Sequence, residues 1–506
     1  MPKPRFSILT LVPDPPFSTP GGRFESVRGQ GFTDWEQCPC AGGSSAEVAE
    51  ALATARGEFV ALLGENDRLA FEALALVDEA IRMTPETDLV YSDEDAIDAA
   101  GRRICTFFKP DWSPERLRAE MYVGRLSFLR RSLVEEVGGL DPALGDAAEW
   151  DLTLKVSERA RAVLHIPRLL YHRREEAHAR AADDEASARA VQAHCDRIGL
   201  PARVEADPAR PGGCRLRPTL LQTPKVSIVI PTRGQRRAIR GAEAVLVLHC
   251  VRSIMATSTY GDFEIVCVAD TSTESAVLDE LRRIGGERLR IVAYEAPFNF
   301  SAKINLGAAH SEGEHLLLLN DDMEVLTPDW IERMVMYSGY TGIGAVGVQL
   351  RWEDERIQHA GLALERGLPG HVYRGDGKLD GYARNVLVTQ NYIAVTGACM
   401  MTPRKVFERV GGLSEELPVN YNDTDYCLKL GAEGLRIVYD ADTVLYHFES
   451  SSRSTKVRRW EKSLLLERWP SVIGNDPYSN PNLRYGEPRT GLLRRGMRRA
   501  RARLSG

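Results

Sequence analysis

The sequence predicts an α/β protein of two tandem, Rossmann-like domains with mainly parallel sheets, joined by a helical connector. Three observations carry this prediction. At 506 residues the chain is long enough for two or three ordinary domains. It also repeats itself: VGGL, WDLTLK and LYH in 137–172 recur as VGGL, TDYCLK and LYH in 410–447. ARGEFVALLGEND (55–67) matches SEGEHLLLLNDDM (311–323), and FTDWEQCPCAGGSS (32–45) matches YGDFEIVCVADTST (260–273). A repeat longer than any solenoid unit means two related domains. Finally, the second half alternates short apolar runs with helix-length segments, the pattern of a sheet with crossover helices.

Taken in order, FSILTLV (6–12) reads as a strand, leading into PDPPFSTPGG where the second copy has a helix. The polar, alanine-rich stretch 176–199 reads as a helix and 202–218 as a strand pair about a Pro-Gly turn. Together they make a structured connector, because an unstructured loop of that length is unusual in a compact protein. KVSIVIPT (225–232) is a buried-strand run, AVLVLHCVRSIMAT (244–257) has helical length and spacing, and FEIVCVAD (263–270) is a second strand. STESAVLDELRRIG (272–285) opens on a serine suited to capping and closes on glycine. LRIVAYE is a third strand, FSAKINLGAAHSEG a helix, and EHLLLLNDD (314–322) a strand ending in acids. The boundaries that follow are 1–178 for the first domain, 179–222 for the connector, 223–475 for the second domain and 476–506 for a basic tail.

Bulk properties exclude several classes. With 43% hydrophobic and 27% charged residues the chain reads as soluble and globular. A net charge of -6 gives no basic field to recruit nucleic acid. No apolar run is long enough to span a bilayer, and MPKPRFSILTLVPDP is a strand broken by prolines, not a signal peptide. The nine scattered cysteines read as reduced, mostly core thiols of a cytoplasmic protein, the C-P-C of Cys38 and Cys40 included. The tail RTGLLRRGMRRARARLSG (489–506) has two readings: a solvated end, or an amphipathic helix on the anionic inner face of the cell membrane.

Ligands of open α/β sheets sit beyond the carboxyl ends of the strands, and Asp270, Asp321 and Asp322 fall at such ends. Carboxylates there can hold a hard divalent cation, which would neutralise a diphosphate leaving group. The same acids also suit a cap for the helix of TPDWIERMV (327–335). In YNDTDYCLKLGAEG (421–434), Asp423 and Asp425 precede a helix, so one can cap while the other faces a cleft as a proton acceptor. His447 could complete a manganese or magnesium site, although His172 holds the matching place in the first copy. Arg453 could grip phosphate oxygens, or be a solvated surface residue. With the copies laid together, Asp270 faces Gly42, Asp322 faces Asn66 and Asp423 faces Glu149. The first copy is therefore expected to be altered, though it keeps Glu65, Asp67 and Glu149.

VSIVIPT, FNFSAKINLGAAHSEGEHLLLLNDD, QHAG (358–361), AVTGACM (394–400), VGGL, NDTDYCLKL and LYHFESSSR run in order from about 225 to 453. Together they resemble the family 2 glycosyltransferases with the GT-A fold, and among them bacterial O-antigen and rhamnosyl-type polysaccharide enzymes. YSDEDAID, FKPDWSPERL and HIPRLLYHRRE extend the resemblance to tandem members of that group. The resemblance implies two GT-A-like domains and inverting transfer from a nucleotide-diphosphate sugar to a lipid-linked or polysaccharide acceptor, with Mn2+ or Mg2+. It implies Asp423 as catalytic base, Asp322 and His447 as metal ligands and Asp270 against the nucleoside. Thr396, Gly397 and Ala398 would lie beside the transferred sugar. Pro231, Thr232, Arg233, Lys303, Asn305, Asp321 and Arg453 would complete the donor side, and Gln358, His359, Asn422 and Asp425 the acceptor side. The chain departs from the family pattern at Gly234, at ADTST (269–273) and at Asn320, where an acid is usual. Rival readings are a non-catalytic glycan-binding scaffold, a bifunctional transferase with both domains active and, fitting NDTDYCLKL and LYH poorly, a nucleotidyltransferase.

Overall fold

The computed structural model describes residues 3–12, 24–41, 44–64, 67–98, 101–174, 183–365, 368–377, 381–448, 457–484 and 487–488. The chain divides into two compact units, Met1–Arg217 with Asn480–Asn482, and Pro218–Ser479 with Leu483–Gly506.

In the second unit Val226–Thr232 is buried along its whole length. It sits in the middle of a sheet, pairing in parallel with Phe263–Asp270 on one side and His315–Leu319 on the other. Leu316, Leu317, Leu318 and Leu319 are fully buried, each contributing about 1.5–3 kcal/mol relative to exposure. Helix Phe300–Ala309 starts where the Asn299 side chain accepts the Ala302 amide. It comes down close on the sheet because Gly307 has no side chain; a Cβ there would stand 2.3 Å from Val229. That approach carries Lys303, one turn earlier, over the strand ends.

The sheet order is Leu289–Tyr294, Phe263–Asp270, Val226–Thr232, His315–Leu319, Cys399–Pro403, Ile343–Arg351, Arg436–His447 and Met323–Val325. Two short strands attach at its far half, Ile357–His359 on Ile343–Arg351 and Gln390–Tyr392 on Arg436–His447. The expectation of a mainly parallel sheet needs correction. Parallel pairing holds through His315–Leu319, but Cys399–Pro403 inserts antiparallel between two neighbours, and Met323–Val325 also pairs antiparallel. The sheet is mixed because strict strand-helix alternation stops after the acids. A hairpin of Arg236–Ile239 and Ala242–Val245, unforeseen in the sequence, precedes the helix Leu246–Thr257.

The first unit has the same order without the edge strand: Trp35–Ala41, Phe6–Val12, Phe59–Leu63, Ser127–Arg130, Thr87–Ile97, Ala162–Arg174 and Arg68–Leu69. One buried polar bridge recurs in both units. Ser7 donates to Glu36 at 2.7 Å and accepts from the Gly57 amide at 2.8 Å. Ser227 donates to Glu264 at 2.7 Å and accepts from the Gly313 amide at 2.7 Å. Each glycine is required by close approach, since a Cβ would stand 2.5 Å and 2.6 Å from the Ser7 and Ser227 amides. The helix Asp184–Ile198 and the strands Ala202–Ala206 and Cys214–Pro218 form as expected but fall within the first compact unit. There His194 on the helix meets Glu158 at 2.7 Å.

All nine cysteines are free thiols, and seven are buried. No helix among the described residues is long and apolar enough to cross a membrane. Arg453, Gly42, Glu65, Asn66 and residues 489–506 of the basic tail lie outside the described residues.

Candidate active site

The second unit gathers three groups of side chains at the carboxyl ends of its strands. The first surrounds Lys303, which is buried. Its ammonium lies 2.5 Å from Asp270 and donates to the Thr232 carbonyl at 2.9 Å. Burial pulls its pKa below the ordinary lysine value, against the pull of the Asp270 carboxylate. Thr232 in turn donates its hydroxyl to Asp321 at 2.7 Å. Pro231 is buried within the same strand, while Arg233 is exposed just beyond it.

The second group is metal-like in its donors. Asp322 Oδ1 stands 3.0 Å from His447 Nε2. The pair is held by the antiparallel register that sets Met323 opposite His447, and by the Phe448 amide donating to the Asp322 carbonyl at 2.9 Å. His447 Nδ1 is 2.7 Å from the Gln358 carbonyl oxygen. An amide oxygen only accepts, so Nδ1 carries a hydrogen, while the Asn320 side-chain NH2 donates to Nε2 at 3.3 Å, leaving Nε2 as the accepting nitrogen beside the carboxylate. Two acceptors at 3.0 Å suit a shared cation: that spacing is the edge of an octahedron with bonds of about 2.1 Å. No set of three or more His, Cys, Asp or Glu side chains among the described residues is arranged to hold a metal. Among the described residues the pair supplies two side-chain donors, which suits an ion such as Mg2+ that takes other ligands from water and phosphate.

The third group is Asp423, in the first turn of helix Asn422–Ala432. The residue before it, Tyr421, is left-handed at φ 63°, a conformation a non-glycine residue adopts only under constraint. The Asp423 carboxylate accepts the Gly397 amide at 3.1 Å and the Thr424 amide at 2.7 Å. Desolvation by the surrounding protein nevertheless raises its pKa above the usual aspartate value. The segment Thr396–Ala398 links this group to the second: Gly397 holds Asp423, and the Ala398 carbonyl accepts the Asn320 amide at 2.9 Å.

Other sequence-selected residues lie elsewhere. Asp425 is fully buried, accepting Trp469 Nε1 at 3.0 Å with Arg468 at 3.5 Å. Asn305 braces the VGGL loop, bonding the Leu413 carbonyl at 2.9 Å and its amide at 3.0 Å. Asn422 accepts the Asp423 amide at 2.8 Å. Gln358 and His359 are both buried. The capping readings of the acids are not realised. Asp321 and Asp322 precede a strand, with Asp329 at the N-cap position of the next helix. Neither Asp423 nor Asp425 occupies the N-cap of its helix. Ser272 likewise caps nothing, for that helix begins at Ser275 after Glu274. Sequence reasoning missed Trp469 and Glu461; the latter is fully buried and receives two hydrogen bonds from Asn420, at 3.0 and 2.8 Å. A glutamate in the helix Arg459–Arg468 and a tryptophan just past its end give no pattern that would single them out.

The first unit corrects the comparison of copies. Strand register sets Arg68 opposite His172, as it sets Met323 opposite His447. The residue before each pair is Asp67 and Asp322, so the counterpart of Asp322 is Asp67, not Asn66. Strand ends Leu63 and Arg68 enclose four residues, 64–67, where Leu319 and Met323 enclose three, 320–322. One extra turn residue displaced the sequence match. The carboxylate survives but is otherwise engaged, by the Tyr171 hydroxyl and by the Arg174 amide at 2.8 Å. His172 is taken by Asp95 at 2.6 Å. Glu149, in the place of Asp423, lies 3.4 Å from Arg125, and burial raises its pKa against that guanidinium.

Residues 224–463, which contain all three groups of the second unit, match the family model "Glycosyltransferase like family 2". This part of the chain is a family 2 glycosyltransferase domain. The chain is 34% identical to "Uncharacterized protein y4gI" of Sinorhizobium fredii, over 95% of its own length and 58% of that protein. It is 36% identical to "O-antigen biosynthesis protein RfbC" of Myxococcus xanthus, over 90% of its own length and 36% of RfbC. The chain thus spans less than two thirds of either relative. Among solved structures it aligns with GalNAc-T7 bound to UDP, GalNAc and Mn2+ at TM-score 0.40 and 14% identity, covering half of each chain. It aligns with the Pyrobaculum calidifontis mannosyltransferase PcManGT, bound to GDP-Man and Mn2+, at TM-score 0.34 and 17% identity, over 49% of this chain and 70% of that one.

Proposed function

We propose that the second unit transfers a sugar, with inversion, from a nucleotide-diphosphate donor to a growing cell-surface glycan. The observation that carries this reading is that Gly397 bonds Asp423 while its neighbour Ala398 bonds Asn320, two residues before Asp322 of the Asp322–His447 pair. An acid of raised pKa on one side and a cation-binding pair on the other is the division of labour that inversion requires.

In this mechanism Asp423 Oδ accepts the proton of the acceptor hydroxyl as its oxygen attacks the anomeric carbon. The bond from that carbon to the diphosphate oxygen breaks on the opposite face. Asp322 and His447 would hold a divalent cation, Mn2+ or Mg2+, which supplies positive charge to the departing diphosphate. Asp270 and Lys303, with Thr232, Arg233 and Asp321, line the nucleotide side, and the Thr396–Ala398 backbone faces the sugar. O-antigen or a similar polysaccharide, built at the inner face of the cell membrane, is the acceptor class that the RfbC relationship supports. The first unit keeps the frame without the working constellation, and we assign it a non-catalytic, acceptor-guiding role. The bifunctional alternative draws on the surviving Asp67 and Glu149, but their engagement by Tyr171, Arg174 and Arg125 weighs against it.

The test is a thermal-shift screen of nucleotide-diphosphate sugars with Mn2+ or Mg2+, on wild type and Asp322→Ala. A metal-dependent shift with one donor, lost in the variant, is expected. A shift that survives the substitution would move the donor site out of the second unit; no shift with any donor would favour a glycan-binding scaffold.

A further inference from the structure

The short strand Ile357–His359 lies between the two chemical groups, and its last two residues look opposite ways. Adjacent residues of a strand project to opposite faces. Gln358 reaches His447, its carbonyl oxygen 2.7 Å from Nδ1. His359 reaches the other way: its Nε2 accepts the Thr396 amide at 3.4 Å. With Nε2 accepting, the hydrogen of His359 sits on Nδ1, which lies 2.9 Å from Nδ1 of His371. The two rings meet edge to face, centroids 5.0 Å apart. His359 is fully buried and Gln358 is 5% exposed, so neither is presented to an acceptor.

We propose that Gln358 and His359 form a two-sided positioning clamp, Gln358 orienting the metal-binding imidazole and His359, backed by His371, fixing the segment that holds Asp423. This inference rests on the transferase reading of the same site and adds to it how the base and the cation pair are kept in one geometry. Gln358 holds the hydrogen of His447 on Nδ1, so that Nε2, 3.0 Å from Asp322, is the nitrogen left to ligate. His359 anchors Thr396, and the next amide, Gly397, is the one that bonds Asp423 at 3.1 Å. Because the two side chains share one strand, paired to Ile343–Arg351 at Leu350–His359, a shift of that strand would move both ends of the reaction together.

Two readouts separate the halves of the clamp and need no sugar transfer. Mn2+ binding, followed by electron paramagnetic resonance on the full chain with UDP or GDP present, reports the Gln358 side. Hydrogen exchange of the Thr396–Ala398 amides reports the His359 side. Gln358→Leu is expected to weaken Mn2+ binding about 10- to 100-fold, the usual effect of removing a partner of a metal-bound histidine. Gln358→Glu, which keeps an accepting oxygen, should restore most of that binding. His359→Leu should speed exchange at Thr396 and Gly397 about tenfold, a loss of about 1.4 kcal/mol of local protection, with Mn2+ binding unchanged. His359→Gln, which can still accept the Thr396 amide, should restore protection. In a transfer assay His359→Leu should lower kcat and leave donor KM within about twofold of wild type. Unchanged Mn2+ binding in Gln358→Leu, or equal movement of both readouts in both leucine variants, would overturn the clamp. A wild-type protein that binds Mn2+ normally but transfers no sugar would instead overturn the transferase reading.

Discussion

Asp423→Asn separates chemistry from architecture at the proposed base. The carboxylate accepts two amides, from Gly397 at 3.1 Å and Thr424 at 2.7 Å. An asparagine offers one accepting oxygen, so one of these amides is left facing an NH2 group. A hydrogen bond lost in this way costs about 1–3 kcal/mol. Opposing this, desolvation raises the Asp423 pKa, so the charged form of this carboxyl is one that its native surroundings disfavour. For a carboxyl raised in the folded state, the associated stability is present at low pH and is lost as pH rises through the folded pKa. Replacing it by a neutral amide removes that loss, and the net change should stay within about 2 kcal/mol, or a few degrees in Tm. Catalysis has no such compensation. General base catalysis contributes about 10²- to 10⁴-fold, or about 2.7–5.4 kcal/mol of barrier. The expected result is kcat lowered at least about 100-fold, donor-induced thermal shift retained, and a wild-type rate that rises with pH through a limb above the ordinary aspartate range. Steady-state kinetics of the variant beside wild type make the measurement. A variant with kcat within about threefold of wild type would refute the base assignment.

Other outcomes follow from the same geometry. His447→Ala leaves Asp322 as the single side-chain donor of the pair, so Mn2+ affinity should fall at least about tenfold, readable by calorimetry. Asp67→Asn with Glu149→Gln should leave sugar transfer within about twofold of wild type; a loss as deep as that of Asp423→Asn would show the first unit to be catalytic. His315 is buried against Ser338, and burial lowers its pKa to about 4. The unfolded chain then binds a proton that the native state refuses, so stability should fall by up to about 3 kcal/mol as pH drops from about 6.5 to 4. His315→Gln should flatten that part of the urea-midpoint profile.

Much of the frame was legible in the sequence because buried strands announce themselves. Leu316 to Leu319 and the Val226–Thr232 run could hardly be anything else. The placing of Asp270, Asp321 and Asp322 followed from the rule that ligands meet strand ends, while Lys303 and Thr232 came only with the family resemblance. What stayed hidden was register and orientation. No local pattern shows that Cys399–Pro403 enters antiparallel, since that depends on pairing with strands over fifty residues away. Asp425 resembles Asp423 in spacing and chemistry, yet only contact with Trp469 decides that it turns inward. Likewise, a gapless match of the copies had no means of placing one extra residue in the Gly64–Asp67 turn.

That single residue says something about how such duplicated domains diverge. The extra length is absorbed in a turn at the rim of the sheet, while the Ser7–Glu36–Gly57 bridge beneath is kept as in its twin. On the reading proposed above, a change of site geometry therefore required no weakening of the scaffold. Asp270 has no counterpart in the first copy, where Gly42 stands, but Asp67 and Glu149 keep carboxylates that have other partners, which keeps them paired and the copy foldable. On the non-catalytic reading we propose for the first unit, silence and stability are separable properties, and a copy that folds well stays free to acquire a different task.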